Sequence, residues 1–291
     1  MKVSGFTFLR NGQKFGYPFV ASIRSILPIV DEFVIALGPS EDKTEEMIRD
    51  IGDAKIRIIH TQWNEHVRND RGVKGFVYGQ QKSIALFNCI GDWAFYLEGD
   101  EVVHENELPK IRAAMETHLN NPEVEALIFD YVHFYGNKNT YAWSPRWYRT
   151  APRILRNTIP AWGPKGLFFI VLDNPKKGRY PKAAHTGATI YHYGWVKSED
   201  QLTQRKQSTA TAWNIGTVPQ VSYANVDPLT LRTFTGTHPK VIQEWLPPAE
   251  GLFQANPNHQ LTSREKKHRM MLKMEKWFGC ELSKKHYRLV A

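Results

Sequence analysis

The sequence predicts an α/β protein built on an open sheet with helices on both faces. Two observations carry this. Short apolar runs of strand length alternate with segments of helical spacing through the first half of the 291-residue chain. The most distinctive run, Trp93-Ala94-Phe95-Tyr96-Leu97, stops abruptly at Glu98-Gly99-Asp100-Glu101. A strand that ends in carboxylates around a glycine is a strand that has reached the rim of a sheet and turns there.

The elements follow in order. Residues 3–9 read as a buried strand. Residues 16–27 have apolar side chains at helical spacing and stop at Pro28, which cannot continue a helix. Residues 33–37 form a second strand before the Gly38-Pro39-Ser40 turn. A helix over 44–51 opens with acids in its first turn, and Asp42 or Thr44 is placed to cap it. Residues 56–60 are a third strand, 76–89 a helix and 93–97 a fourth strand. A helix begins at Pro109 and runs to about residue 119, and residues 126–135 form another strand. Residues 136–164 are aromatic, basic and turn-rich, and either form an acceptor cleft, the reading preferred from sequence, or pack as a β-substructure with cation–π pairs. Two more strands are expected over 166–172 and 188–193. The main domain is drawn as 1–197 and a mostly helical extension as 198–291, with a polar helix over 198–213 and a basic one over 262–278.

Composition narrows the class. Hydrophobic content of 42% and aromatic content of 12% describe a globular protein with a substantial core. No apolar run approaches a bilayer span. The first residues enter strand-like sequence without the zones of a secretory signal, and Cys89 and Cys280 form neither a disulfide framework nor a zinc site. The reading is a cytoplasmic protein, peripheral at most to the inner face of a membrane. The net charge of +9 suits anionic partners: nucleoside diphosphates, anionic lipid or nucleic acid. Ordinary solubility explains it equally well.

Clustered carboxylates repel one another and call for a cation. Hard oxygen ligands at a strand end suit Mg²⁺ or Mn²⁺ bridging to a diphosphate. Asp100 is the first candidate ligand, with Glu98 beside it. His192 ends the apolar stretch Ala188-Thr189-Ile190-Tyr191. By itself it reads as a histidine hydrogen-bonded under a loop and packed by Tyr193 and Trp195. Asp130 lies within an apolar run and is expected to be buried, which is costly unless it is paired, for instance with Arg153. Glu199 and Asp200 stand at a helix start, where acids have a simple electrostatic reason.

These residues carry a resemblance. The first half resembles an inverting family 2 glycosyltransferase with the GT-A fold. Such enzymes open with a strand and an Asn-containing loop, here Phe6-Thr7-Phe8-Leu9-Arg10-Asn11-Gly12. They continue with a second strand and a turn of the type Asp-x-Gly-Ser-x-Asp-x-Thr, matched at Ser40, Asp42 and Thr44 but with Leu37 at the first aspartate. A helix with a basic residue follows, matched by Lys82, and then Gly91-Asp92-Trp93 leads to the Asp-x-Asp strand end, with Glu98 as its first acid. The resemblance covers about residues 2–105 well and reaches more loosely to residue 196. It implies a nucleotide site made by Leu9, Arg10, Asn11, Asp42, Lys82, Glu98 and Gly99, with metal at Asp100 and His192. It implies transfer from a nucleoside-diphosphate sugar to a glycan or lipid-linked acceptor, as in cell-envelope polysaccharide synthesis. His192 as a further metal ligand would favour Mn²⁺, with His185 the weaker alternative. An inverting transfer also needs a general base, for which Asp130 is the candidate, unless it is only a structural partner of Arg153, and Glu199 and Asp200 are rivals. A nucleotidyltransferase would show a glycine-rich loop after the first strand, which is missing here. A nucleic-acid-binding protein would leave the acidic turn without a purpose, so no nucleic acid is expected. The basic helix over 262–278 is expected to dock on its own domain through Met271, Leu272 and Trp277, with contact to an anionic membrane as the other reading.

Overall fold

The computed structural model describes residues 1–64, 67, 75–212, 216–248 and 253–290. Its strands are β1 (Val3–Leu9), β2 (Glu32–Leu37), β3 (Ile56–His60), β4 (Trp93–Tyr96), β5 (Glu101–Val103), β6 (Ala126–Tyr135) and β7 (Asn137–Ala142). They continue with β8 (Thr150–Arg156), β9 (Ala161–Trp162), β10 (Ile170–Asn174), β11 (Lys177–Arg179), β12 (Lys182–His192), β13 (Leu231–Thr233) and β14 (Arg288–Leu289). The helices are α1 (Phe19–Ile26), α2 (Thr44–Arg49), α3 (Phe76–Phe87), α4 (Leu108–His118), α5 (Glu199–Ala212) and α6 (Ser263–Phe278). Trp213, at the end of the expected polar helix, lies outside the described residues.

The protein is α/β with a mixed sheet in the order β13-β7-β6-β8-β4-β1-β2-β3, with β12 joined to β6 and carrying β5 and β14. A small sheet β11-β10-β9 sits apart. Strand β1 pairs in parallel with β2 and β4, and β2 with β3. Strand β8 is antiparallel to both β4 and β6, and β12 is parallel to β6. The carboxyl ends of β1, β4, β6 and β12 therefore face the same rim, where ligands gather in open α/β sheets.

Both faces of the central strands are covered, which explains their nearly continuous apolar sequences. Phe33, Ile35 and Leu37 of β2 join one cluster with Trp93, Phe95 and Leu97, together with α1 and α4. Val34 and Ala36 join the other with Phe6, Ala94 and Tyr96, together with Ala85 and Leu86 of α3.

The stretch over 136–164 is the packed β-substructure of the two readings. It supplies β7, β8 and β9, and its cations lie on rings: Arg149 is 4.1 Å from Trp143 and Arg156 is 4.5 Å from Trp93. Residues beyond 197 are not only helical, because β13 pairs with β7 and β14 with β12. Among the described residues no helix is long and apolar enough to cross a membrane.

Candidate active site

The acidic turn is held from several sides. The Thr7 hydroxyl donates to the Leu97 carbonyl at 2.7 Å and the Ser22 hydroxyl to the Glu98 carbonyl at 3.0 Å. Gly99 lies where a Cβ would come within 2.7 Å of Leu9 Cδ2, so a side chain there would have to displace the end of Leu9. The Tyr193 amide donates to the Asp100 carbonyl at 2.8 Å, which ties the end of β12 to the turn.

The three acids separate into two groups. Glu101 is fully buried and bound by Arg153, whose Nε and Nη2 donate to its two oxygens at 2.8 and 2.7 Å. The Tyr131 hydroxyl and the Glu98 amide also donate to it, at 3.0 and 3.1 Å. This carboxylate is saturated and belongs to the scaffold. Arg153 also reaches Glu98 Oε1 at 3.3 Å, so its acidic partners are Glu98 and Glu101, not Asp130. Burial, with Glu101 adding to it, pushes the Glu98 carboxyl up to about 7 against the pull of Arg153.

Asp100 is different. It is 2% exposed, and its Oδ2 accepts no hydrogen bond. His192 Nε2 lies 3.6 Å from Oδ1, and Arg205 Nη1 lies 3.4 Å from Oδ2 while donating to the Gly194 carbonyl. Burial acts to raise the Asp100 carboxyl, but His192, Arg205 and Lys197 outweigh it and hold it below the usual carboxylate range. Gly194 seals this corner: a Cβ there would sit 2.5 Å from Asp100 Oδ2 and 2.6 Å from His192 Nε2.

The protonation pattern behind His192 follows from its partners. His133 Nε2 is 2.7 Å from the Tyr148 carbonyl, which only accepts, so this nitrogen carries the proton. Burial, then His192, holds His133 well below the ordinary imidazole value, so its ring is neutral and Nδ1 bears a lone pair. His192 Nδ1, 3.0 Å away, must then donate to it. A neutral His192 consequently aims the lone pair of Nε2 at the Asp100 carboxylate. Two lone-pair bearers face each other, and a proton or a cation has to lie between them.

Cations gather at the same rim. Tyr17 is flanked by the Lys197 ammonium, 4.5 Å from the ring centre, and the Arg205 guanidinium at 5.0 Å. Lys197 donates to the Phe15 carbonyl at 2.8 Å, and burial together with Arg205 lowers its pKa to about 7. Such a cluster suits an anion with several oxygens.

The structure brings Asp100, His192 and Glu98 to one rim of the sheet. The loop after β1 is stitched to the loop after β2: the Asn11 amide donates to Ser40 Oγ at 3.0 Å and Asn11 Oδ1 accepts from the Glu41 amide at 2.8 Å. Asn11 has a φ of 53°, a left-handed conformation that asparagine tolerates. Arg10 lies over Trp63 at 5.3 Å and Leu9 is buried. Asp42 accepts from the Thr44 hydroxyl and amide and, through Oδ2, from the Lys14 amide at 2.7 Å, which makes it a turn-former at the start of α2. Lys82 is fully buried, its ammonium donating to the Gly166 and Phe168 carbonyls at 2.8 Å each, between the rings of Tyr96 and Phe169.

Asp130 is exposed, contrary to the expected burial, and pairs with His185 at 3.3 Å. Strand alternation turns Phe129, Tyr131 and His133 to one face of β6 and Asp130 to the other. Glu199 accepts from the Tyr223 amide at 2.7 Å in the first turn of α5. Sequence reasoning did not single out Lys197, Arg205, Tyr17 or His133. For His133 a signal existed, since it shares the inward face of β6 with Phe129 and Tyr131. Arg205 lies on a polar helix with no pattern to mark it.

No protein-family model matches this chain, and no curated protein matches it. Solved structures show partial likeness. Glucosyl-3-phosphoglycerate synthase from Mycobacterium tuberculosis, in complex with Mn²⁺, UDP and phosphoglyceric acid, matches at 19% identity and a TM-score of 0.32 over 45% of this chain and 43% of that one. Residues 1–349 of S. aureus TarS match at 14% identity and a TM-score of 0.40 over 73% and 65%. The same TarS fragment with UDP-GlcNAc matches at 16% identity and a TM-score of 0.35 over 54% and 46%. The chain covers less than two thirds of the length of each.

Proposed function

We propose that this protein is a metal-assisted glycosyltransferase that uses a nucleoside-diphosphate sugar. The observation that carries the reading is the facing pair Asp100 and His192: His192 Nε2 lies 3.6 Å from Oδ1 of a buried carboxylate whose Oδ2 accepts no hydrogen bond. One carboxylate oxygen and one imidazole nitrogen form a donor set suited to Mn²⁺. Among the described residues no group of three or more His, Cys, Asp or Glu side chains is gathered as a metal site, so the protein offers two donors and diphosphate oxygens and waters would complete the shell. A divalent cation held there supplies Lewis-acid charge to a departing diphosphate.

The chain's own residues do the remaining work. Lys197 and Arg205 face the same rim and would hold phosphate oxygens, with Tyr17 fixing their positions. The loops after β1 and β2, tied through Asn11 and Ser40, would form the wall against the nucleoside. The sequence resemblance adds an inverting transfer and a glycan or lipid-linked acceptor.

The test is a thermal-shift screen of nucleoside diphosphates with and without Mn²⁺. A ligand that binds only the native state raises its melting temperature. Asp100→Asn should remove the metal-dependent part of the shift; a full shift in that variant would defeat the assignment. Tight binding of oligonucleotides with a steep salt dependence, and none of nucleoside diphosphates, would favour a nucleic-acid-binding protein instead.

A further inference from the structure

Helix α6 is mounted in reverse. It opens with a capping box between Thr262 and Glu265 and closes at Gly279 in the left-handed conformation, so its limits are well defined. An ordinary surface helix turns its apolar side inward. Here only Met271 and Leu272 among its apolar residues are half-buried, beside contacts that are ionic. Arg269 donates through Nε and Nη2 to the two oxygens of the fully buried Asp227, both at 2.7 Å. Arg149 reaches Glu275 at 2.9 Å, and His259 lies 3.0 Å from Glu265.

Four further apolar side chains point the other way. Met270, Met274, Trp277 and Phe278 are 63, 39, 82 and 69% exposed. Of the three residues expected to dock the helix, Met271 and Leu272 are half-buried and Trp277 is not buried. At 100° per residue these four positions fall on one arc of the helix surface. Lys266 and Lys273 border that arc on one side, Arg264 stands on the other, and Lys267 lies at its amino-terminal end; all four are exposed.

We propose that this face of α6 docks on an anionic lipid surface, with Met270, Met274, Trp277 and Phe278 entering the interface and the flanking lysines meeting lipid headgroups. Charge complementarity selects this occupant. Apolar side chains ringed by Lys and Arg match the boundary between headgroup and acyl chain, where tryptophan is favoured. A second copy of the chain would bring the same lysines against themselves. The proposal stands apart from the Asp100 site and does not depend on it.

The experiment is co-sedimentation of the full chain with vesicles of phosphatidylcholine alone and of phosphatidylcholine mixed with phosphatidylglycerol, at low and high salt. Binding should be about tenfold stronger or more on the anionic vesicles and should fall as salt rises. It should be lost in Trp277→Ser/Phe278→Ser and in Lys266→Glu/Lys273→Glu. Both pairs are exposed, so the variants should keep the parent melting temperature. In the parent, brominated lipid should quench part of the tryptophan emission, and Trp277→Phe should remove that part. Equal binding to neutral and anionic vesicles, no binding to either, or binding untouched by both double variants would overturn the proposal. So would a monomer–dimer equilibrium abolished by Trp277→Ser/Phe278→Ser, which would assign the face to a second copy.

Discussion

The Nδ1 atoms of His133 and His192 lie 3.0 Å apart, and the Tyr148 carbonyl, 2.7 Å from the far side of His133, decides which of them carries the proton. With His192 Nδ1 turned to His133, Nε2 is the nitrogen that faces Asp100. Ligating histidines usually depend on such a partner for orientation and tautomer. His133→Leu should therefore weaken Mn²⁺ binding about 10–100-fold in the presence of a nucleoside diphosphate. Titration followed by the Mn²⁺ paramagnetic resonance signal measures this. An unchanged affinity would show that the relay does not orient His192.

Gly194→Ala places a methyl group 2.5 Å from Asp100 Oδ2 and 2.6 Å from His192 Nε2. Neither atom can remain where it is. The carboxylate and imidazole must turn apart, while the sheet below them has no reason to move. The expected outcome is a loss of Mn²⁺-dependent binding with a melting temperature close to the parent's. Calorimetry paired with a thermal melt separates the two effects, and parental Mn²⁺ affinity would mean the pair does not act together.

Glu101 and Arg153 form a buried pair with two short contacts. Removing one charge leaves the other stranded in a low-dielectric interior, which costs about 3–5 kcal/mol. Glu101→Gln should lower the urea midpoint by a corresponding amount, and Arg153→Met added to it should recover part of the loss. If the double variant were no better than the single one, the stranded charge would not be the cause.

Stability should also depend on pH through Glu98. Its carboxyl is raised from 4.5 to about 7 in the folded protein, first by burial and then by Glu101. The native state thus holds a proton that the unfolded chain has released. The stabilisation is fully present below pH 4.5 and is lost as pH rises through about 7. Urea midpoints without added metal should fall across that window, and Glu98→Gln should flatten the fall. Parallel curves for parent and variant would show that another group titrates there.

The sequence by itself determined the α/β class, the order of β1 to β4 with their helices, and Asp100 at the rim. Those features are local. A run buried on both faces writes its apolar character into consecutive residues, and a strand end packed against Leu9 leaves little room beyond a glycine at Gly99. The strands between 136 and 164 were hidden because paired aromatic and basic side chains resemble an exposed cleft in a one-dimensional reading. Only tertiary structure decided which acid is scaffold and which is free for a ligand, since Glu98, Asp100 and Glu101 look alike until Arg153 arrives from β8 and takes Glu101. It also decided that Asp130 faces away, because β6 alternates and the partners on each face come from distant strands. Arg205 and His192 meet at Asp100, with His133 behind His192 and Lys197 on Tyr17, through contacts made across long stretches of chain, and such contacts leave no periodic trace in sequence.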